Sequence, residues 1–141
     1  MSTYKGRCHC GDVHVVFETE QHSDQIAVRT CGCTFCQRTR PIYTSDPNGQ
    51  VIIRHRPGTL HTYRFGQESA EFISCANCGV FLGAAMETSA GLRGVMNVAG
   101  ARMTELTEKT ATPMDFDDED HETRTARRAR SWTPITIEVR D

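Results

Sequence analysis

A chain of 141 residues, 38% hydrophobic and with a formal net charge of −2, has the size of one domain over residues 1–141 and enough apolar surface for a modest core. The slight acidic excess argues against nucleic acid as the main partner, because phosphate binding draws a basic excess. No apolar run approaches the roughly 20 residues of a membrane span, and the opening MSTYKGRCHCGDV lacks the apolar stretch of a secretory signal, so the reducing cytoplasm is the expected compartment and structural disulfides are not expected.

The predicted elements are mostly short strands. Val13, Val15 and Phe17 alternate with His14, Val16 and Glu18, which gives a strand with one apolar face. After the turn-forming Asp46-Pro47-Asn48-Gly49, Val51 to His55 is a β-branched run. Leu60, Tyr63 and Phe65 follow the Pro57-Gly58 turn and are placed on a further strand. Phe72-Ile73 leads into Cys75, Val80 to Leu82 leads away from Cys78, and another strand is expected over Leu92 to Val98. Asp117, Asp118, Glu119 and Asp120 then precede Arg124, Arg127, Arg128 and Arg130. Acid first and base last is the order a helix dipole favours, so a helix is predicted from about Asp117 to Arg130. Its charges read first as a solvated face, and second as arginines that hold an anionic ligand. Ile135, Ile137 and Val139 alternate with Thr136, Glu138 and Arg140 in a terminal strand. The pattern as a whole predicts a mainly β fold with one C-terminal helix. Trp132 and Tyr63 read as core or pocket-wall residues, and His9, His14, His22, His55, His61 and His121 are given no site role.

The cysteines carry the chemistry. There are seven, arranged as Cys8-x-Cys10, Cys31-x-Cys33-x-x-Cys36 and Cys75-x-x-Cys78. An odd number cannot all pair within the chain, whereas close-spaced thiolates converge well on one tetrahedral zinc. Seven ligands divide naturally into a closed set of four, the structural type, and a set of three with an open position, the catalytic type. Cys8 and Cys10 with Cys75 and Cys78 would make the first, leaving Cys31, Cys33 and Cys36 as a local triad. A mixed grouping, or one zinc with three free cysteines, stays open on spacing alone. Gly11 and Gly79 follow the two pairs and permit the tight backbone of a metal knuckle.

Gly6-x-Cys8-x-Cys10-Gly11, Cys31-x-Cys33-x-x-Cys36, Gly58-Thr59-Leu60 and Cys75-x-x-Cys78-Gly79 together resemble the glutathione-dependent formaldehyde-activating enzyme (GFA) family over about the first hundred residues. The resemblance implies a zinc-bound β-sheet fold of the β-tent type. It implies a structural zinc on Cys8, Cys10, Cys75 and Cys78, and a catalytic zinc on Cys31, Cys33 and Cys36. The chain departs from the family pattern at Gly32, at Arg38-Thr39-Arg40-Pro41 and at Ala101-Arg102, positions expected around the substrate pocket.

The chemistry implied is that of a zinc-dependent carbon–sulfur lyase or synthase. Its family-type reaction joins a small thiol, glutathione, to formaldehyde or a related small aldehyde, in the manner of an S-(hydroxymethyl)glutathione synthase. Three thiolates on Zn²⁺ leave an electron-rich ion, weak as a Lewis acid for water but able to favour thiolate at its open position. With three ligands rather than four, the triad metal is expected to be the more labile. A thiolate is a good nucleophile toward a carbonyl carbon, and hydrolysis ranks lower because no Glu base adjoins the triad. The alternative is a non-catalytic zinc module that binds a protein partner, which would need the closed site but not the open one. No feature of the sequence sets an oligomeric state.

Overall fold

The computed structural model describes residues 1–140. Among these residues the chain forms eleven strands and three helices, and no helix is long and apolar enough to cross a membrane. One wing of the sheet consists of β1 (Ser2–Arg7), β2 (Val13–Thr19), β5 (Gln50–His55) and β11 (Thr133–Val139). The first three pair antiparallel, and β11 joins β5 in parallel, with Ile135 opposite Val51. The expected alternation on β2 is present: Val13, Val15, Phe17 and Thr19 are fully buried and the residues between them are half-buried.

The other wing runs antiparallel through β6 (Leu60–Tyr63), β7 (Glu71–Cys75), β8 (Phe81–Thr88) and β9 (Gly91–Asn97). Beyond the end of β9 lie the two-residue β4 (Tyr43–Thr44), then β3 (Arg29–Cys31) and β10 (Thr112–Met114). Strand β11 belongs to both wings, since Thr133 and Pro134 pair with β9 before Ile135 begins the pairing with β5.

Strand β8 is buried from Phe81 to Met86 without interruption. A strand covered on both faces loses the alternation of a half-exposed one. Its Leu82 and Ala85 join Val15, Ile53, Ile73 and Met96 in the larger core. Its Phe81, Ala84 and Met86 face a second cluster that holds Cys36, Tyr43 and Trp132. Cys31, Cys33 and Cys36 thus pack in or against a core of their own.

The C-terminal helix, α3, spans His121–Ser131 and not 117–130. Asp120 stops it from starting earlier: its carboxylate accepts the Thr123 N–H at 2.7 Å as an N-cap. Asp115 accepts the Asp117 N–H, and Glu119 N–H closes a turn on Phe116, so the acids ahead of Asp120 cap and turn the chain rather than enter the helix. The strand expected to include Phe65 ends at Tyr63, because the chain turns from Phe65 through Gly66 at φ +60 to a Glu68 N–H bond at 2.9 Å. Tyr63 is half exposed rather than buried, whereas Trp132 is buried as expected. Two short helices, α1 (Thr34–Thr39) and α2 (Thr104–Thr107), complete the fold.

Candidate functional site

Cys8 and Cys10 lie in the turn between β1 and β2, and Cys75 and Cys78 at the turn between β7 and β8. The fold brings these two turns together, so that all four sulfurs lie within 4.8 Å of one another. Cys10 Sγ stands 3.7 Å from Cys8 Sγ and 3.7 Å from Cys75 Sγ. Sulfurs about 2.3 Å from one ion at tetrahedral angles would be roughly 3.8 Å apart, so the cluster has the dimensions of a tetrahedral thiolate site. The two turns share a backbone design. Gly11 N–H returns to Cys8 O and Gly79 N–H to Cys75 O, with the glycines at φ +88 and +79, where a side chain would be strained. Val13 N–H donates to Cys8 Sγ at 3.3 Å and Cys78 N–H to Cys75 Sγ at 3.5 Å, so backbone donors face a sulfur in each turn.

Cys75 and Cys78 are shifted in opposite directions. Burial pushes Cys75 up to about 12, overriding the backbone N–H groups around it. Cys78 is held down to about 6: burial works against ionisation there, but backbone hydrogen bonds and the neighbouring thiols outweigh it. Cys78 ionises readily while Cys75 keeps its proton, and a bound divalent ion would let the two ionise together.

The second cluster is built from consecutive local elements. Cys31 ends β3, Cys33 is the N-cap of α1, and Cys36 is the one buried residue of that helix. Their sulfurs also lie within 4.8 Å of one another. Cys33 Sγ accepts the Cys36 N–H at 3.4 Å, which satisfies a free donor of the helix start. The hydrogen bond from Cys36 holds Cys31 down to about 6, and the same bond together with burial pushes Cys36 far up. Cys36 Sγ and Tyr43 Oη lie 3.2 Å apart. Burial first, and then the Cys36 charge, raises the phenol above its ordinary value, so Tyr43 keeps its proton and would be the donor once a bound metal made Cys36 a thiolate. All seven cysteines are free. The structure thus groups them as four and three, both sets with the donor chemistry of zinc sites.

The two clusters differ in what surrounds them. The triad lines a cavity of about 420 Å³, and none of the four other cysteines does. A second depression, bordered by Gln37 and Arg40, also reaches Cys31 and Cys36. The walls of the main cavity include Phe65, Phe72, Val95 and Trp132, and Phe35 packs behind them with ring centroids 5.3 Å from Phe65 and 4.9 Å from Phe72. One side is strongly basic: Arg29 from β3 and Arg124, Arg127 and Arg128 from α3. Glu119 binds two of these, accepting from Arg127 at 2.8 and 2.9 Å and from Arg124 at 3.5 Å. Arg127 lies 3.6 Å from the Phe116 ring centroid, and Arg124 donates to Phe116 O at 2.7 Å. Arg128 is buried against Trp132, 4.6 Å from its ring, and burial followed by the charges of Arg127 and Arg124 brings it down to about 10.

The solvated-face reading of the helix holds for Arg130, which is exposed, and fails for Arg124, Arg127 and Arg128, which line the cavity. No histidine lines it. Ala101, expected near the pocket, lies instead in the larger core beside Gly6. Sequence reasoning missed Arg29, Tyr43 and Phe116. Arg29 was within reach, because residues two apart on a strand share a face and Arg29 precedes Cys31 by two. Tyr43 is held in place by Asn97, whose Oδ1 accepts the Ile42 N–H at 3.0 Å and whose Nδ2 donates to Phe81 O at 2.9 Å; neither residue carries a motif.

No protein-family model matches the chain, and no curated protein matches it. Among solved structures it is similar to a Rhodobacter sphaeroides protein determined as a structural genomics target, with 25% sequence identity and a TM-score of 0.58 over 77% of this chain and 97% of that one. The likeness is one of fold.

Proposed function

We propose that this protein is a zinc-dependent enzyme that makes or breaks a carbon–sulfur bond in a small thiol adduct. Cys31, Cys33 and Cys36 are the catalytic ligands, and Cys8, Cys10, Cys75 and Cys78 hold a structural ion. The observation that carries this reading is the asymmetry of the clusters: the three-cysteine set, one ligand short of a closed site, opens on a cavity, and the four-cysteine set does not. Zinc at the triad would offer an open position where a thiol enters and is favoured as thiolate.

The chain's own residues do the rest. Tyr43 holds its proton on Cys36 and fixes that sulfur. Phe72, Val95 and Trp132 keep water from the reacting carbon. Asp117, the one carboxylate among the described lining residues, is exposed, so the proton the thiol gives up passes to solvent. In the joining direction the sulfur pair forms the carbon–sulfur bond, the carbonyl pair moves to oxygen, and that oxygen takes from solvent the equivalent of the proton the thiol released. No oxidant or reductant enters, and the reverse sequence releases thiol and aldehyde. Glutathione with formaldehyde, or a related small aldehyde, is the pair the sequence resemblance points to, and the reducing cytoplasm is where such a thiol is abundant. A module that only binds a protein partner would leave the open triad and its cavity without a role.

The test loads the protein with Co²⁺ and titrates it with glutathione and with 2-mercaptoethanol. The expected result is a growing sulfur-to-cobalt absorption band that is lost in Cys31→Ser. If no small thiol changes the coordination of the triad metal, the enzyme reading fails.

A further inference from the structure

We propose that Arg29 and Arg128 form a carboxylate-binding subsite in the cavity, so that the substrate is an anionic thiol adduct whose carboxylate is seated there while its sulfur lies at the triad. This rests on the reading of the triad as the reaction centre.

The cavity wall carries more basic than acidic side chains in contact. Four guanidinium groups line the cavity, and the carboxylate of Glu119 engages only Arg124 and Arg127. Among the described residues, no carboxylate lies within 4.0 Å of Arg29 or Arg128. Arg128 is only 9% exposed. Its Nη1 donates to Ser69 Oγ at 2.9 Å and contacts Met86 Sδ at 3.6 Å, while its Nε is buried without a partner. Arg29 makes one side-chain bond, from Nη2 to Ser45 Oγ at 2.9 Å. Neither guanidinium donates to a triad sulfur. The charges of Cys31 and, for Arg128, Glu119 are felt here without contact, and a buried guanidinium that no carboxylate touches is a place where a ligand carboxylate would supply the missing partner.

Shape and surroundings favour a carboxylate over a diffuse anion. A guanidinium offers a planar fork that matches two carboxylate oxygens, and the Trp132 ring under Arg128 fixes the plane of that fork. The apolar walls of Phe72, Val95 and Trp132 lower the local dielectric and strengthen the pairing. The volume, about 420 Å³, lies in the range of small-molecule sites.

The test uses probes without a free thiol, which do not depend on capture of a thiolate at the metal: S-methylglutathione, 3-(methylthio)propanoate and their ethyl esters. The chain has one tryptophan, Trp132, so its fluorescence in the zinc-loaded protein reports binding beside Arg128. At least one acid is expected to bind about tenfold or more tightly than its ester. Arg29→Gln and Arg128→Lys should each remove about tenfold of that affinity, while Arg130→Gln, on the exposed side of the helix, leaves it unchanged. Thermal unfolding checks that the variants fold, and should Arg128→Lys not do so, Arg29→Gln decides. Binding by neither acid, equal binding of acid and ester, or full affinity in folded variants overturns the proposal. The two readings fail separately. Glutathione sulfur on the triad metal with no preference for acid over ester removes the subsite alone. Acid preference without any thiol on the metal removes the enzyme reading alone.

Discussion

Glu119 receives Arg127 through both Nε and Nη2, at 2.8 and 2.9 Å, and the two side chains are 15% and 16% exposed. The pair ties the turn ahead of α3 to the helix itself, and Gln67 donates to Glu119 O at 3.1 Å from across the cavity rim. The Arg127 hydrogen bonds, and then its charge and that of Arg124, hold the Glu119 carboxyl below the ordinary carboxylate value. A carboxyl lowered on folding stabilises the fold above its unfolded value, and that contribution is lost as the pH falls through the lower, folded value. Glu119→Gln should therefore destabilise the protein at neutral pH, by about 1–3 kcal/mol. The gap from the parent should narrow on acidification below about 4.5. Thermal unfolding of both proteins across this range checks it, and a gap that does not change with pH would refute it.

The four-cysteine cluster joins two turns separated by more than sixty residues of chain, Cys10 to Cys75. A zinc held there would contribute on the order of 10 kcal/mol to folding. Cys78→Ser should lose one of two zincs per chain and much of its thermal stability, whereas Cys33→Ser should lose the other with a small effect on the fold. A chelator of moderate strength should strip the triad first, because three ligands hold an ion less firmly than four. Metal content and unfolding midpoints are the measurements. A Cys78→Ser protein with full zinc and native stability would sink the assignment.

The parts of this fold visible in the sequence are those whose residues interact locally. Strand β2 shows its alternation because one face is buried and the other half open, and the paired cysteines show because each knuckle is a single turn. Strand β1 does not show: Ser2–Arg7 covers one edge of the sheet and has no fully buried residue. Strands β3 and β4 are three and two residues long, too short for any period to be read. The basic wall of the cavity was hidden for another reason. Charge order along α3 marks a helix, but which face meets the cavity depends on Trp132, Ser69 and Met86, contacts that local pattern does not contain.

Tyr43→Phe removes only the hydroxyl that lies 3.2 Å from Cys36 Sγ. The ring remains packed at 6% exposure, with its centroid 6.2 Å from that of Phe81. Loss of such an outer partner commonly weakens a metal site by about 10–100-fold, while the fold loses about 1 kcal/mol. The expected result is a triad zinc that exchanges faster into a chromogenic chelator, with the four-cysteine zinc unaffected. Equal loss from both sites would mean that Tyr43 acts through general stability and not through Cys36.

Gly6 stands two residues ahead of Cys8, and a Cβ at that position would collide with Ala101 O. That oxygen cannot withdraw freely. It accepts the Arg7 N–H at 3.0 Å, and the Ala101 N–H is bound to Asn97 O at 3.1 Å in fully buried backbone. Gly6→Ala must therefore displace either β1 or the segment around Ala101. Overpacking of this kind costs on the order of 1–3 kcal/mol, which corresponds to a fall in midpoint of roughly 2–12 °C for a domain of this size. Because the strain falls just ahead of Cys8, affinity at the four-cysteine cluster should drop while the triad keeps its zinc. Ala101→Gly should not rescue the variant, since the nearest obstacle is the backbone oxygen and not the methyl group. Gly32 gives the contrast. It lies between two triad cysteines, yet a Cβ there meets nothing within 4 Å, so Gly32→Ala should leave stability and both metals essentially unchanged. If Gly6→Ala and Gly32→Ala behaved alike in unfolding and metal retention, close backbone approach at Gly6 would not be what the fold requires of that glycine.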